Sequence, residues 1–535
     1  MTTHEVFNQV PPLVGHDVAD DPALLDGLFR EGGGWAAEAV HELGRLAGTE
    51  QAREWGRLAN EHPPALRTHD RYGHRVDEVE FHPAWHELMR VAVGHGLHAR
   101  AWTERSGAHV ARAAKFYVWR VDAGHSCPIS MTYAAVPALR HAPDLARRYE
   151  PLLTSDTYDF GLRVPTEKRG ILAGMSMTEK QGGSDVRANT TRAVPQSDGT
   201  YLLTGHKWFT SAPMCDVFLV LAQAPEGLTC FLLPRVLPDG TRNAVRLQRL
   251  KDKLGNRSNA SAEVEYEDAV AWRVGDEGRG VRTIIEMVNM TRLDCVIGAA
   301  SGMREGLVQA THHAAHRQAF GRYLIDQPLM RNVLADLAVE SEAATVLMLR
   351  LAGATDRGET AFKRLGLAAG KYWVCKRWPA HAAEALECLG GNGYVEDSGM
   401  PRLFRESPLN SIWEGSGNVS ALDVLRAMVK EPETVEAFFD EVALAAGADA
   451  RLDTAVQEVK DSLAEVATIE LRARRVVERL ALVLQGSLLV KHGHPAVADA
   501  FCASRLSGDG GRAFGTLPAG VDFAAIVERA RSKTG

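Results

Sequence analysis

The sequence predicts an α+β protein in which helices and strands occupy separate stretches of the 535-residue chain. From Trp35 to about Leu139, apolar residues recur at helical spacing, as in HPAWHELMRVAVGHGLHARAW. From Ile171 to about Val274, short apolar runs alternate with Gly, Asp, Pro and Ser, which is typical of hairpins or a small barrel. Long helical patterns then return at Gly280. Such segregation favours an α+β architecture over the regular alternation of a doubly wound sheet.

These changes of pattern predict four domains. We expect an N-terminal helical domain (1–170), a central β domain (171–280), a four-helix domain (281–430) and an additional C-terminal helical domain (431–535). Neither a Gly-x-Gly-x-x-Gly fingerprint after a strand nor a P-loop is present in the sequence. The two commonest nucleotide-binding loops are therefore excluded.

Composition restricts the class of protein further. With 45% hydrophobic residues, 24% charged residues and a net charge of −7, the chain has the profile of a globular protein. Its seven scattered cysteines form no C-x-x-C pair, so we expect a reducing compartment and neither disulfides nor a zinc site. No apolar run reaches the roughly 20 residues of a membrane helix. The opening MTTHEVFNQVPP lacks the pattern of a signal peptide, and we expect a cytoplasmic protein.

The segment GMSMTEKQGGSD, which begins at Gly174, is the first candidate for binding chemistry. Its two glycines and the hydroxyls of Thr178 and Ser184 can present hydrogen-bond donors to an anionic or polar ligand. A simple turn between strands explains the same residues, and glycine-rich turns are common. By itself, this segment favours the turn.

Three further segments are individually weak signals. In GHKWFTS, an aromatic pair beside hydroxyls can pack a flat heterocycle, although cross-strand aromatics are the commoner explanation. In SIWEGSGN, Glu414 stands between an indole and a glycine, and an apolar setting would suit a carboxylate to general-base work. Taken alone, the segment favours a capping or surface role for Glu414. The segment LGGNGY reads as the C-cap of a helix.

Taken together and in this order, these segments resemble the acyl-CoA dehydrogenase family, and within it the AidB-like adaptive-response flavoprotein branch. The resemblance extends over nearly the whole chain. It includes VFNQVPPL, FHPAWHELM, LKDKLGNRSNAS and NMTRLDC in addition to the segments above. The C-terminal helical region also resembles that branch, because simpler family members stop near residue 430.

The resemblance implies the domain order given above, FAD as cofactor and a homo-oligomer, either a dimer or, as we expect, a tetramer. It implies FAD contacts in the flavin loop at Met177, Thr178, Gly183 and Ser184, and on the following strand at Phe209, Thr210 and Ser211. It implies contacts to the FAD of a neighbouring subunit at Arg317 and Phe320, to the adenosine end at Gly391, and further cofactor contacts at Trp413, Ser416 and Asn418.

The resemblance also implies a reaction, the α,β-oxidation of a short or branched acyl-CoA thioester. Glu414 matches the catalytic base, and Arg292 would orient its loop. Some branches carry the base one residue before this arginine, but Thr291 occupies that position and cannot act as a base. The backbone N–H of Glu414 would stabilise charge on the thioester oxygen. An electron-transfer flavoprotein or oxygen would take the electrons.

Several positions depart from the family pattern. Phe209 and Ser211 stand where the family usually has Trp and Thr, so an indole N–H is lost while an aromatic face and a hydroxyl remain. Trp413 replaces a smaller aromatic residue and shortens the expected acyl pocket. Glu387 replaces the usual Gln, which removes one amide contact to the cofactor.

The AidB-like branch is also associated with binding of double-stranded DNA through its C-terminal domain and with protection against alkylation damage. The alternative function is therefore that of a DNA-binding flavoprotein that protects against alkylation damage and has little dehydrogenase activity. Residues 430–535 contain 13 Lys and Arg against 16 Asp and Glu, a net charge of −3 that does not favour a DNA-binding domain. The candidate contacts are Arg472, Arg475, Arg479 and Lys491, although a solvated helix face explains them as well.

Two pairs of histidines have the i, i+4 spacing of metal ligands. These pairs are His82 with His86 and His312 with His316. No His-Glu-x-x-His motif completes either pair. We expect surface or interface histidines here and no metal.

Overall fold

The computed structural model describes residues 3–103 and 105–532. Its α-helices are α1 (Pro22–Arg30), α2 (Ala37–Ala47), α3 (Glu50–Glu61), α4 (Pro83–Gly94), α5 (Ala108–Val118), α6 (Ser126–Leu139), α7 (Pro143–Leu153), α8 (Gly280–His316), α9 (Pro328–Asp356), α10 (Thr360–Glu387), α11 (Met400–Glu406), α12 (Gly417–Lys430), α13 (Glu433–Ala443), α14 (Ala450–Ala464), α15 (Ala473–His492), α16 (Pro495–Phe501) and α17 (Phe523–Ala530). Its β-strands are β1 (Ala65–His69), β2 (Arg75–Glu80), β3 (Ala173–Ser176), β4 (Arg192–Pro195), β5 (Tyr201–Ser211), β6 (Val217–Ala224), β7 (Gly227–Pro234), β8 (Val245–Leu250), β9 (Ser261–Val274), β10 (Gln318–Ala319) and β11 (Arg322–Tyr323). Within this described part of the chain, no helix has both the length and the apolar character needed to cross a bilayer. The α+β class predicted from the sequence is confirmed.

A hairpin interrupts the N-terminal stretch that the sequence pattern predicted to be helical. Strands β1 and β2 pair in antiparallel fashion, with Ala65 opposite Glu80. The Asp70 carboxylate accepts hydrogen bonds from the backbone N–H of Tyr72 (2.8 Å) and of His74 (2.9 Å), which fixes the turn. Strand β2 (RVDEVE) is mostly charged and no residue of β1 (ALRTH) is buried, so the apolar alternation of the two strands is too weak to be recognised in the sequence.

The described residues form two compact units, each assembled from separate stretches of chain. The first unit is drawn from Met1–Glu50, Ser106–Arg120 and Arg292–Gly535, and the second from Gln51–Arg105 and Val121–Thr291. Helix α8 belongs to the second unit up to Thr291 and to the first unit from Arg292 onward.

The first unit is helical, and the long helices α9 and α10 form its centre. Helices α1, α5 and α17 pack on α9, whereas α12, α13 and α15 pack on α10. Close approach is possible at Gly302, where an added Cβ would lie 2.0 Å from the buried ring of Trp378. A buried bidentate pair between Arg112 and Asp294 (2.5 and 2.7 Å) ties α5 to α8. The C-terminal helices continue this unit, because α15 packs on α9, α10, α12 and α14.

The second unit contains a small closed sheet. Strands β4, β5, β9, β7 and β6 pair in that order, and a parallel bridge between Arg192 and Gln223 returns from β6 to β4. Strand β3 pairs in parallel with β6, and β8 pairs with β9. The pairing of β5 with β9 shifts register between Lys207 and Thr210. Such bulges redirect side chains, and this one lies where the sequence placed cofactor-binding residues.

All seven cysteines are buried free thiols. Burial raises the pKa of the Cys230 thiol to about 12 and that of Cys375 to about 11. These thiols are therefore protonated and unreactive at neutral pH.

Candidate functional site

The predicted flavin loop lies in the second unit, where it follows β3. A buried ion pair organises it, since Lys207 Nζ lies 2.9 Å from Glu179 Oε1 and neither side chain is exposed. The same ammonium donates to the carbonyl oxygens of Met177 (3.3 Å) and Leu221 (2.7 Å). Asn189 Nδ2 also donates to the Met177 carbonyl (2.9 Å). The backbone at Met177 is thus fixed by two side chains.

The carboxylate of Glu179 is the centre of this network. It accepts from the backbone N–H and the hydroxyl of Thr190 (2.7 and 2.9 Å) and from the backbone N–H of Thr191 (3.1 Å). Burial opposes ionisation, but Lys207 and these donors outweigh it and hold the pKa of Glu179 well below its ordinary value. For Lys207, burial lowers the pKa to about 8 against the opposing effect of Glu179. Both groups are charged at neutral pH.

Sequence reasoning missed Glu179, Lys207 and Asn189. The available signal was a Glu and a Lys within the two motifs already singled out, TEKQGG and GHKWF. A charged residue within an apolar or glycine-rich segment needs an oppositely charged or hydrogen-bonding partner when it is buried.

The residues predicted to contact FAD in this unit lie on the loop and on the adjoining strand β5. The backbone N–H of Trp208 donates to the Thr178 carbonyl (2.8 Å), which joins the loop to β5. An added Cβ at Gly183 would lie 2.3 Å from Thr178 Oγ1, so the loop closes tightly around that hydroxyl. Ser184 is exposed, and Met177 and Thr178 are half-buried.

On β5, the ring of Phe209 is 50% exposed and Ser211 is half-buried. Thr210, by contrast, is buried, and its hydroxyl hydrogen-bonds to Ser176 Oγ. A half-exposed aromatic ring beside hydroxyls, with a loop that excludes a side chain at Gly183, fits a flat heterocycle with polar edges such as the flavin of FAD.

The predicted base, Glu414, lies in the first unit, on the loop that precedes α12. Its φ is +57°, a left-handed conformation that costs a side-chain-bearing residue about 1–2 kcal/mol. The backbone is held in place by two cations. Arg292 Nε donates to the Glu414 carbonyl (2.9 Å), and Lys371 Nζ donates to the carbonyls of Trp413 (2.8 Å) and Gly415. Strain of this kind persists only where the surroundings fix it, and it is concentrated at functional sites.

Arg292 is itself anchored by a buried carboxylate. Its Nη1 donates to Asp423 Oδ2 (2.8 Å), and Arg364 Nη2 donates to Asp423 Oδ1 (2.9 Å). Burial opposes the charge on Asp423, but Arg292 and Arg364 together lower its pKa below the ordinary value. The structure thus brings Arg292 to the Glu414 loop, and a role in orienting a catalytic base stays a prediction. Lys371, Asp423 and Arg364 also hold this loop or its arginine, and the sequence analysis did not identify them.

Three other predicted cofactor residues, Trp413, Ser416 and Asn418, lie on the same loop or in the first turn of α12. The indole N–H of Trp413 donates to Asn410 Oδ1 (3.0 Å), and this bond fixes the ring of the residue before Glu414. Ser416 is the N-cap position of α12, and Asn418 is exposed in its first turn. A role for these three residues in binding the cofactor stays a prediction.

Phe320 lies at the tip of the hairpin formed by β10 and β11. Its φ is +52° and it is 98% exposed. Arg317 Nη1 donates to the Asn8 carbonyl (2.6 Å), so the N-terminal segment supports this hairpin. Gly391 is exposed on a short helical turn after α10, with open space where a Cβ would be. Contacts of Arg317, Phe320 and Gly391 with FAD stay predictions.

The candidate DNA contacts lie along α15 and just before it. Arg472 Nη1 donates to Ser462 Oγ (2.7 Å) and Arg472 Nε to Thr468 Oγ1 (2.8 Å), so its guanidinium is engaged within its own unit. Arg479 lies 3.6 Å from Glu458. Arg475 and Lys491 are exposed. A DNA-binding role for these residues stays a prediction.

The paired histidines contact neighbouring protein groups. His82 accepts from the Ala84 backbone N–H at the start of α4, and His86 Nδ1 lies 2.8 Å from the Tyr158 hydroxyl. His312 Nε2 lies 2.8 Å from the Pro11 carbonyl oxygen. Across residues 3–103 and 105–532, no three His, Cys, Asp or Glu side chains are grouped so as to hold a metal ion.

Comparison with known proteins agrees with this architecture. Residues 8–160 match the adaptive response protein AidB N-terminal domain, 174–269 the acyl-CoA dehydrogenase middle domain, and 278–429 the acyl-CoA dehydrogenase C-terminal domain. The AidB protein of Escherichia coli K12 is 48% identical over 518 residues, which cover 95% of each chain. Acyl-CoA dehydrogenase family member 11 of Caenorhabditis elegans is 31% identical and covers 91% of this chain and 85% of its own.

Solved structures show the same fold. The C. elegans protein ACDH-11, in complex with C11-CoA, superposes with a TM-score of 0.86 at 28% identity and covers 94% of each chain. An acyl-CoA dehydrogenase of Bacillus anthracis, complexed with FAD, shares the fold with a TM-score of 0.62 at 19% identity, covering 79% of this chain and 78% of its own. The chain belongs to the acyl-CoA dehydrogenase family, whose members are flavoproteins with FAD as cofactor. Its N-terminal match and its similarity to the E. coli protein place it in the AidB-like branch.

Proposed function

We propose that this protein is an FAD-dependent dehydrogenase of short or branched acyl-CoA thioesters and that Glu414 is its base. The observation that carries the proposal is the Glu414 loop, in which a carboxylate-bearing residue is held in a strained conformation by two buried cations. A loop with only a capping role would not require that strain. The complex of ACDH-11 with C11-CoA supports a thioester as the substrate class.

In this reaction the Glu414 carboxylate removes the α-proton of the thioester. The backbone N–H of Glu414 stabilises the charge that develops on the thioester oxygen. FAD, when bound, supplies the acceptor for the hydride that leaves the β-carbon, so that a double bond forms between the α- and β-carbons. In the second unit, FAD would be held by residues of the flavin loop and of β5, namely Met177, Thr178, Gly183, Ser184, Phe209 and Ser211.

The Trp413 ring limits which thioesters are accepted. It is larger than the aromatic residue usual in the family, and its hydrogen bond to Asn410 fixes it in place. We therefore favour short or branched acyl chains. Electrons would then pass to an electron-transfer flavoprotein or to oxygen, in a homo-oligomer to which the exposed hairpin of Phe320 contributes.

The test is anaerobic mixing of the purified holoprotein with a panel of short and branched acyl-CoAs, with the absorbance of the flavin followed at about 450 nm. We expect one class of thioester to bleach the band, and we expect Glu414→Gln to bind FAD but to bleach at least about a hundredfold more slowly. The exposed residue Glu436 provides the control, since Glu436→Gln should react like the wild type. Dithionite should reduce the flavin in all three proteins. If dithionite bleaches the wild-type flavin and no thioester does, the proposed activity is wrong.

A further inference from the structure

Three consecutive backbone carbonyls at the Glu414 loop accept hydrogen bonds from buried cations. Lys371 Nζ donates to the carbonyls of Trp413 (2.8 Å) and Gly415, and Arg292 Nε donates to the carbonyl of Glu414 between them (2.9 Å). Lys371 lies on α10 and is only 2% exposed. A buried ammonium is costly unless it is fully hydrogen-bonded, so these bonds are required by its position.

The positions of these carbonyls determine the conformation of Glu414. The φ and ψ angles of a residue describe the rotation between the two peptide planes that flank it. The Trp413 carbonyl belongs to the plane before Glu414, and the Glu414 carbonyl belongs to the plane after it. Lys371 therefore fixes the first plane and Arg292 the second, which together account for the left-handed φ of +57°.

The first of these planes also carries the backbone N–H of Glu414. A cation that bonds to the carbonyl oxygen of an amide polarises the whole group and makes its N–H a stronger donor. In the proposed reaction, this N–H stabilises the charge on the thioester oxygen, while the side chain of the same residue takes the α-proton. Lys371 thus influences both groups through a single peptide.

We propose that Lys371 is a positioning residue that aims the Glu414 carboxylate and strengthens the Glu414 N–H as a donor. This inference rests on the proposed function of Glu414. It assigns a role to a residue far from the loop in sequence, since Lys371 and Trp413 are 42 positions apart.

The experiment isolates proton abstraction from hydride transfer. The holoprotein is reduced with dithionite so that FAD can accept no hydride, and it is then incubated in D2O with a thioester that bleaches the oxidised wild-type enzyme. Deuterium at the α-carbon of the recovered acyl-CoA measures exchange catalysed by the base alone. The exchange rate at saturating thioester, the half-saturating concentration and the FAD content are measured for each variant.

We expect Lys371→Met to slow exchange at saturation by about a hundredfold, because a small displacement of a catalytic group has an effect of that order. The half-saturating concentration should change less than about threefold, because Lys371 acts on the transition state rather than on substrate binding. Lys376 provides a matched control, since it is five positions further along α10 and donates to the Ser411 hydroxyl (3.1 Å) rather than to these carbonyls. Lys376→Met should exchange within about twofold of the wild type.

A second variant keeps the test decisive if Lys371→Met does not fold or loses FAD. Lys371→Gln retains an N–H donor but carries no charge and is too short to reach both carbonyls, so exchange should slow at least tenfold in a folded holoprotein. A folded Lys371 variant that exchanges at more than a tenth of the wild-type rate overturns the proposal, as does a loss that appears only in the half-saturating concentration. Absence of exchange and of bleaching in the wild type would instead contradict the proposed function itself.

Discussion

The buried pair of Lys207 and Glu179 permits a quantitative prediction about the flavin loop. In Lys207→Met, the Glu179 carboxylate stays buried without its cation, and the carbonyl oxygens of Met177 and Leu221 each lose one hydrogen bond. Removal of one partner from a buried ion pair lowers the free energy of unfolding by about 3–5 kcal/mol. Arg246 and Glu267, also 2.9 Å apart in the same sheet but more exposed, provide the control. We expect Arg246→Met to lower the free energy of unfolding by less than about 1 kcal/mol.

The assay is urea unfolding of the holoprotein, followed by circular dichroism and by the fluorescence of released flavin. The excess cost of Lys207→Met over Arg246→Met should be at least about 2 kcal/mol, and flavin should be released at lower urea. In a Glu179→Gln background, Lys207→Met should cost less than half as much, because no buried anion is then left uncompensated. Equal costs of the buried and the surface substitution, or an unchanged cost in the Glu179→Gln background, would refute the reasoning.

Three further predictions concern acid, the flavin loop and DNA. The pKa of Glu179 in the folded protein is below its ordinary value of 4.5, so ionised Glu179 stabilises the fold fully above pH 4.5 and loses this effect as the pH falls toward the folded-state pKa. The urea midpoint, measured from pH 7 to 3, should therefore fall less steeply in Glu179→Gln than in the wild type. Gly183→Val should weaken FAD binding in a flavin titration, because the added Cβ would lie 2.3 Å from Thr178 Oγ1. Gly94→Ala is the control and should bind FAD like the wild type, because a Cβ at Gly94 meets open space. If the affinity for duplex DNA, measured by fluorescence anisotropy, falls steeply with salt, Arg475→Ala should reduce the slope of log affinity against log salt concentration by about one. An unchanged slope would show that Arg475 does not contact DNA.

Much of the fold could be predicted because its signals are local. Helical periodicity located the long helices α8, α9 and α10, and frequent breakers located the small closed sheet. The hairpin of β1 and β2 was missed because β2 is mostly charged and the apolar alternation of both strands is weak. The two compact units could not be predicted, because α1, α2 and α5 fold with helices that follow Arg292.

The candidate site was predicted in part. Family resemblance implied that Arg292 orients the Glu414 loop; in the structure Arg292 Nε donates to the Glu414 carbonyl, and the catalytic role of both residues stays a prediction. Thr210 was predicted to bind the cofactor, whereas its hydroxyl bonds to buried Ser176. Lys371 was not identified, since a lysine within a long helix resembles any surface lysine when only the sequence is read.

The sequence by itself determined the order of helical and β segments, the segments TEKQGG and SIWEGSGN, and the family to which the chain belongs. These depend on spacing over a few residues and on turn chemistry, which are properties of the local chain. Only the tertiary structure decided which partner each buried charge has. Lys207 meets Glu179 from 28 residues away, and Lys371 meets Trp413 from 42 residues away. Such pairs form because a buried charge must be compensated, and the compensating group is selected by packing rather than by proximity along the chain.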